Sequence, residues 1–342
     1  MKKLFAVTAA LALLGLGVGA QAIIIDTVTV GDAGNAADTC VMSDGTTGYG
    51  SVSYTYNIGK YEVTAGQYTA FLNAVAKTDT NTLYNTNMAN TSYGSGISRS
   101  GSSGNYTYTV DAAFTNRPVN YVSFWDACRF TNWLGNGQKT GAQDATTTED
   151  GAYTLDGYTG DDGHTIQRNA GWTWAVTSED EWYKAAYYKG GSTDAGYWLY
   201  STQSNTAPGS DMADPSGNNA NYYNGYGSYP IDSGKYTTVV GEFQNSVSAY
   251  GTFDQGGNLW EWNDTLYDIS RGQRGGSCFD GTEGGNGQTL RSTKRCFTNA
   301  NYDYLEMGFR VFQAYSSVPE PSSIIVLLGG LTGLIGLRRR KA

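Results

Sequence analysis

Between residues 253 and 264 the chain reads FDQGGNLWEWND. Glu261 stands between Trp260 and Trp262, with Asp254 and Asp264 close by and Gly256 and Gly257 just ahead. Two indoles tend toward the interior, and a carboxylate carried in with them is costly unless it is paired with a cation or bound to a metal. No Lys or Arg lies within the stretch. Calcium meets the need, because it takes about six to eight oxygen ligands and mixes carboxylates freely with backbone carbonyls. Glycines let the chain turn those carbonyls inward. Hydrogen bonding of Glu261 by backbone amides is the competing account.

Other chemistries are poorly supplied. His164 is the only histidine, and it sits in the polar loop GDDGHTIQ. A Ser-His-Asp triad, a zinc hydrolase or a haem site would each have to be built on it, and it reads instead as an exposed loop residue. Cys40, Cys128, Cys278 and Cys296 include no C-x-x-C pair, which argues against a thiolate metal cluster. In an oxidising compartment they allow two disulfides in three connectivities. Acids are plentiful, but no pair stands out as the facing carboxylates of a glycosidase. A formal net charge of -9 excludes nucleic acid, which requires a basic face.

Both ends read as addresses. MKKLFAVTAALALLGLGVGAQA places Lys2 and Lys3 before an apolar run that closes on Ala20-Gln21-Ala22. That order is a secretory signal peptide, residues 1–22, with cleavage after Ala22. At the other end Pro319-Glu320-Pro321 precedes an apolar segment from Ile324 to Leu337, followed by Arg338, Arg339, Arg340 and Lys341. The run is shorter than the ~20 residues of a comfortable transmembrane span, and the basic end would hold it at the cytoplasmic face. Residues 317–342 resemble a PEP-CTERM sorting signal. The resemblance implies an exosortase as processing partner, transient anchoring in the inner membrane, and then residence at the cell surface or outside the cell. Export of this kind goes with bacteria that make extracellular polysaccharide.

Residues 23–316 read as one domain. Charged residues are scarce at 15%, while Gly reaches 46 and Tyr 27; a loop-rich fold pinned by aromatics suits that balance better than long solvated helices. GSVSYTYNIGKYEVT alternates like a strand. VTAGQYTAFLNAVAK reads as a helix with Thr64 and Gln67 as its capping box. NYVSFWDACRFTNWLGNG reads as a second, capped by Ser123 and stopped at Gly135 or Gly137. TSEDEWYKAAYYKGG reads as a third, with Ser178 and Glu181 as the box, acids filling its first turn and Gly190 as its end. GQRGGSC and MGFRVFQAY read as late strands. Residues 191–250 show no periodicity, yet their tyrosines argue against disorder.

YEVTAGQYTAFLN, RPVNYVSFWDACRFTNWL, WTWAVTSEDEWYKAAYY, YGTFDQGGNLWEW, RGGS and GFRV occur here in this order. The series resembles the formylglycine-generating enzyme, or sulfatase-modifying factor, family over nearly the whole of residues 23–316. The resemblance implies an α+β, C-type-lectin-like fold, loop-rich with little regular secondary structure. It also implies two structural calcium sites. The first would use Asp254, the carbonyls of Gly257 and Leu259, and Glu261. The second would use Glu62, Asn221, the carbonyl of Tyr222, Asp232 and the carbonyl of Gly234.

The family activity is oxidation of a sulfatase cysteine to formylglycine, with O2 and copper(I) held by two thiolates. By position those thiolates would fall near Asp280 and Gly287, between GGS and the arginines Arg291 and Arg295. Cys278 comes too early and Cys296 too late, so copper and a catalytic residue are not expected. The histidines of a related iron-dependent sulfoxide synthase branch are missing as well. An exported binding or structural module is the first reading of function, with an extracellular polysaccharide or a protein as ligand. An oxidase with rearranged ligands is the alternative. A bridge from Cys278 to Cys296 would favour the structural role, and an unbridged Cys278 thiol facing a pocket beside Trp260 would reopen the redox question.

Overall fold

Three helices begin where the sequence places their caps. Thr64 precedes α1 (Ala65–Val75), Ser123 precedes α2 (Phe124–Gly135) and Ser178 precedes α3 (Glu179–Tyr187). In each, the cap hydroxyl accepts from a backbone N–H one turn on, and the side chain of Gln67, Asp126 or Glu181 accepts from the cap's own N–H. Both bonds satisfy donors that the helix cannot serve itself. The third helix stops at Tyr187, before Gly190, because Tyr188 turns extended and bridges to Tyr197.

The computed structural model describes residues 22–225, 230–232, 234–280 and 288–316. Residues 1–21 of the expected signal peptide, the expected sorting segment from residue 317 onward and Gly287 lie outside them. No helix among the described residues is long and apolar enough to cross a membrane. The described chain starts against the end of α2, where Ile23 N donates to Gln138 Oε1 at 2.7 Å and Gln138 Nε2 donates back to Ile23 O at 2.9 Å.

Strands β1 (Thr27–Val30) and β2 (Tyr56–Gly59) come first, and β3 (Ile97–Ser100) with β4 (Thr107–Val110) forms a separate hairpin. Then follow β5 (Trp174–Val176), β6 (Trp260–Tyr267), β7 (Ser270–Arg274), β8 (Cys296–Asn299), β9 (Met307–Gly308) and β10 (Val311–Ala314). One antiparallel sheet runs β1-β2-β10-β5, and a second runs β8-β7-β6-β9 with β9 parallel to β6. The segment MGFRVFQAY is therefore two strands in different sheets, broken at Phe309 and Arg310. The strand in GQRGGSC ends at Arg274, because Gly275 and Gly276 take φ of 103° and 73° and turn the chain away. The WEW stretch is strand β6, which periodicity could not reveal. Its first four residues are all buried, and a strand covered on both faces does not alternate.

Helix α2 is buried from Phe124 to Leu134 and forms the centre of the main core. Phe130 meets Phe71 and Phe309 edge-on, and Trp133 lies tilted against Phe71. Residues 191–250 hold no named helix or strand among those described. They are ordered by side-chain ties instead: Tyr222 Oη donates to Pro208 O at 2.6 Å, Asn219 N donates to Ser246 Oγ at 2.9 Å, and Tyr236 stacks on Phe279 at 4.7 Å.

The partner that Glu261 lacks locally arrives from β10's threshold. Arg310 Nε lies 2.5 Å from Glu261 Oε2, and its Nη2 lies 2.6 Å from Oε1. Trp182 Nε1, in α3, donates to Oε2 at 2.7 Å. Arg310 also donates to Gly59 O at 3.0 Å and to Phe253 O at 2.8 Å. One fully buried ion pair thus joins β2, β6, β10 and α3. Removing one partner leaves the other charge buried and unpaired, which costs about 3–5 kcal/mol. Glu261→Ala is expected to lose about that much in urea or thermal unfolding. A loss below about 1 kcal/mol, the size of an exposed pair, would refute the central role of this contact.

Candidate functional site

The expected first calcium set is gathered around a sharp turn. Gly257 has φ 88°, and a Cβ there would lie 2.4 Å from Asn221 O, so this backbone crossing tolerates only glycine. Asp254 directs Oδ2 to Gly241 N at 2.6 Å. Burial raises its carboxyl to about 6, against the pull of that hydrogen bond and of Arg310. Leu259 N donates to Glu62 Oε1 at 3.2 Å. Glu261 is already neutralised by Arg310, so the argument that its burial demands a metal no longer holds.

That argument moves to Glu62. This side chain is equally buried, and both of its hydrogen bonds come from neutral donors, Leu259 N and, at 2.8 Å, Asn258 Nδ2. Burial, then the charges of Glu261 and Asp254, push its carboxyl well above the ordinary range. Asn258 Oδ1 in turn accepts from Asn221 Nδ2 at 3.0 Å and from Thr238 N at 3.0 Å. Asn221 Nδ2 also reaches Tyr236 O at 2.8 Å, while Asn221 Oδ1 is buried with no hydrogen-bond partner. An orphaned hard oxygen and a buried carboxylate in one network suit a hard cation.

Two further members of the second set already have partners: Asp232 pairs with Arg117, and the Gly234 carbonyl accepts from Ser92 Oγ at 3.1 Å. The bond of Tyr222 to Pro208 O is made by its hydroxyl and does not engage the Tyr222 carbonyl. No group of three or more His, Cys, Asp or Glu side chains among the described residues is arranged to hold a metal. Sequence reasoning missed Asn258 and the pairing of Arg310; GFRV was the only signal of the latter.

A cavity of about 610 Å³ opens against the β8-β7-β6-β9 sheet. Trp260, Gln273, Cys296 and Met307, one from each strand, line it. Asp280, Lys294 and Glu306 bring charge, and Phe279, Phe297, Tyr302 and Tyr304 bring rings. Asp280 Oδ2 accepts from Ser277 N at 2.8 Å and Ser277 Oγ at 2.9 Å, bracing the turn that follows Gly-Gly-Ser. Cys296 is the thiol beside Trp260; it carries no disulfide and burial raises its pKa. Cys278 is fully buried and not among the lining residues. Copper(I) calls for paired soft thiolates. One thiol held in its neutral form, with Asp280 at the other position, does not fit it. His164 is exposed.

Residues 35–315 match the family described as Sulfatase-modifying factor enzyme 1-like domain. Residues 317–341 match the PEP-CTERM protein-sorting motif. No curated protein is a significant match. Among solved structures, CarF is similar at 18% identity and a TM-score of 0.50, over 86% of this chain and 99% of that one. Treponema denticola variable protein 1 is similar at 17% identity and a TM-score of 0.51, over 87% and 98%. At such identities the likeness is one of fold: α+β, loop-rich and C-type-lectin-like, of the formylglycine-generating-enzyme type.

Glu306 offers a titration test of the cavity. Burial, then the charge of Asp280, raises its carboxyl to about 7. The folded protein therefore keeps a proton that the unfolded chain releases near its ordinary value of 4.5. The associated stability is present below that value and is lost as pH rises through the folded pKa. Between about pH 5 and pH 8 the wild type is expected to lose melting temperature relative to Glu306→Gln. Parallel profiles for the two proteins would mean that Glu306 is not shifted.

Proposed function

The chain belongs to the sulfatase-modifying factor family over residues 35–315, and from that membership we propose an exported binding module rather than a formylglycine-generating oxidase. Residues 1–22 are removed on secretion, and residues 317–342 direct processing by an exosortase after transient membrane anchoring. Residues 23–316 then act at the cell surface or outside the cell, holding a polysaccharide or protein ligand in the cavity. The sorting motif supports the route. The observation that carries the role is the single thiol: Cys296 reaches the cavity and Cys278 does not. A cysteine oxidase of this family needs two sulfurs to hold copper(I), and the cavity wall has aromatic rings and carboxylates in their place.

The oxidase alternative draws its support from that same Cys296 beside Trp260. The two readings separate cleanly. Purified protein given copper(I), O2 and a sulfatase-motif peptide is expected to yield no aldehyde by mass spectrometry. Turnover that disappears in Cys296→Ser would make the protein an oxidase with rearranged ligands.

Calcium belongs to the proposal as a structural ion. Glu62 and Asn221 would hold it, with Asp254 and the carbonyls of the Gly257–Leu259 turn nearby, and it would neutralise buried oxygen charge. An ion bound only by the folded state raises stability by mass action. Melting is expected to fall in chelator, and Asn221→Ala to lose that difference. Glu261→Ala should keep the difference while melting lower throughout, because its cost is the stranded Arg310. A wild-type melting curve indifferent to chelator would remove calcium from the account.

A further inference from the structure

The cavity walls carry an unmet set of polar groups. Gln273 is only 4% exposed, and its Nε2 has no hydrogen-bond partner. Thr289 Oγ1, on the same cavity, has none either. A buried amide donor left open calls for an acceptor oxygen from outside the protein. The carboxylates of Asp280 and Glu306 share the cavity, and burial, then the charge of Asp280, makes Glu306 costly to ionise; a cation relieves that cost. Among the described residues of the wall, Lys294 is the one cation set against these two carboxylates. Tyr302 and Tyr304 stack at 5.5 Å with 28° between their planes and stand 43% and 45% exposed. Two flat rings held open to solvent at the edge of a polar cavity form a platform for a ligand with an apolar face.

We propose, building on the binding reading above, that this cavity recognises an amino-sugar unit of a polysaccharide. Its ammonium pairs with Asp280 and Glu306, a hydroxyl oxygen accepts from Gln273 Nε2, and the C–H face of the ring lies on the Tyr302–Tyr304 platform. Each simpler ligand leaves part of the set unmet. A neutral sugar supplies the oxygen and the ring face but leaves the carboxylates without a cation. A lysine side chain supplies the cation but no acceptor oxygen and no ring.

The test is calorimetry on the purified, processed protein with four probes near neutral pH, where Glu306, raised to about 7, still ionises and the sugar amine still carries charge. They are the β-1,4 tetramers of glucosamine, N-acetylglucosamine and glucose, and tetralysine. The glucosamine tetramer is expected to bind at least about tenfold more tightly than the other three. Glu306→Gln should bring its affinity down to about that of the N-acetylated tetramer, and Tyr304→Ala should weaken every sugar. Melting curves of both variants separate lost binding from lost folding. Equal binding of the three sugars would overturn amine recognition and leave the binding module standing. Tighter binding of tetralysine would overturn it in favour of a protein partner. Binding of none would overturn it outright; the binding-module reading would then be decided by the aldehyde assay, which does not depend on these probes.

Discussion

The fold depends on a few carboxylates buried against arginines. Glu261 and Arg310 meet where two sheets and a helix converge, and their pairing closes hydrogen bonds to strands far apart in the chain. The same device recurs at the start of α3. Glu179 receives Arg274 Nε at 2.8 Å and Arg295 Nη2 at 2.5 Å, and Glu181 receives Arg168. Such pairs gain little over a well-packed apolar core, yet each is costly to break by halves. They make the arrangement of loops specific where few regular elements exist to do so.

That hub also builds the cavity. Arg274 closes β7 directly after Gln273, and Arg295 stands directly before Cys296 at the head of β8. Their shared hold on Glu179 sets the two strands whose side chains become cavity wall. The acids in the first turn of α3 therefore do more than complement the helix dipole. They are the far ends of ties that place a donor amide and a thiol beside Trp260. A cavity made this way is braced at its back and open at its tyrosine rim, which would suit the proposed recognition without large rearrangement.

The expected calcium residues divide along the same physical line. Glu261 has its arginine and Asp232 has Arg117, so both are settled by protein charge. Glu62 has only neutral donors, and Asn221 keeps an open oxygen. The question that the WEW stretch raised, how a buried carboxylate is balanced, passes from Glu261 to Glu62, where the proposed calcium would answer it. The irregular segment from 191 to 250 is held by amide, hydroxyl and ring contacts, whether or not an ion joins them.

What the sequence determined by itself is local. Thr64, Ser123 and Ser178 start their helices because the groups they satisfy lie within one turn. The family's order of motifs is likewise legible residue by residue. Strand β6 was not, since a strand buried on both faces has no period to read. Nor was the partner of Glu261, because Arg310 lies 49 positions away and its neighbours in GFRV say nothing of where its guanidinium points. Which cysteine would line the cavity was equally closed to sequence. Cys278 follows Gly-Gly-Ser and invites the assignment, but the turn at Gly275 and Gly276 buries it, and β8, pairing with β7, carries Cys296 to the wall instead. Contacts between distant residues are decided by how elements pack, and packing exists only once the chain has folded.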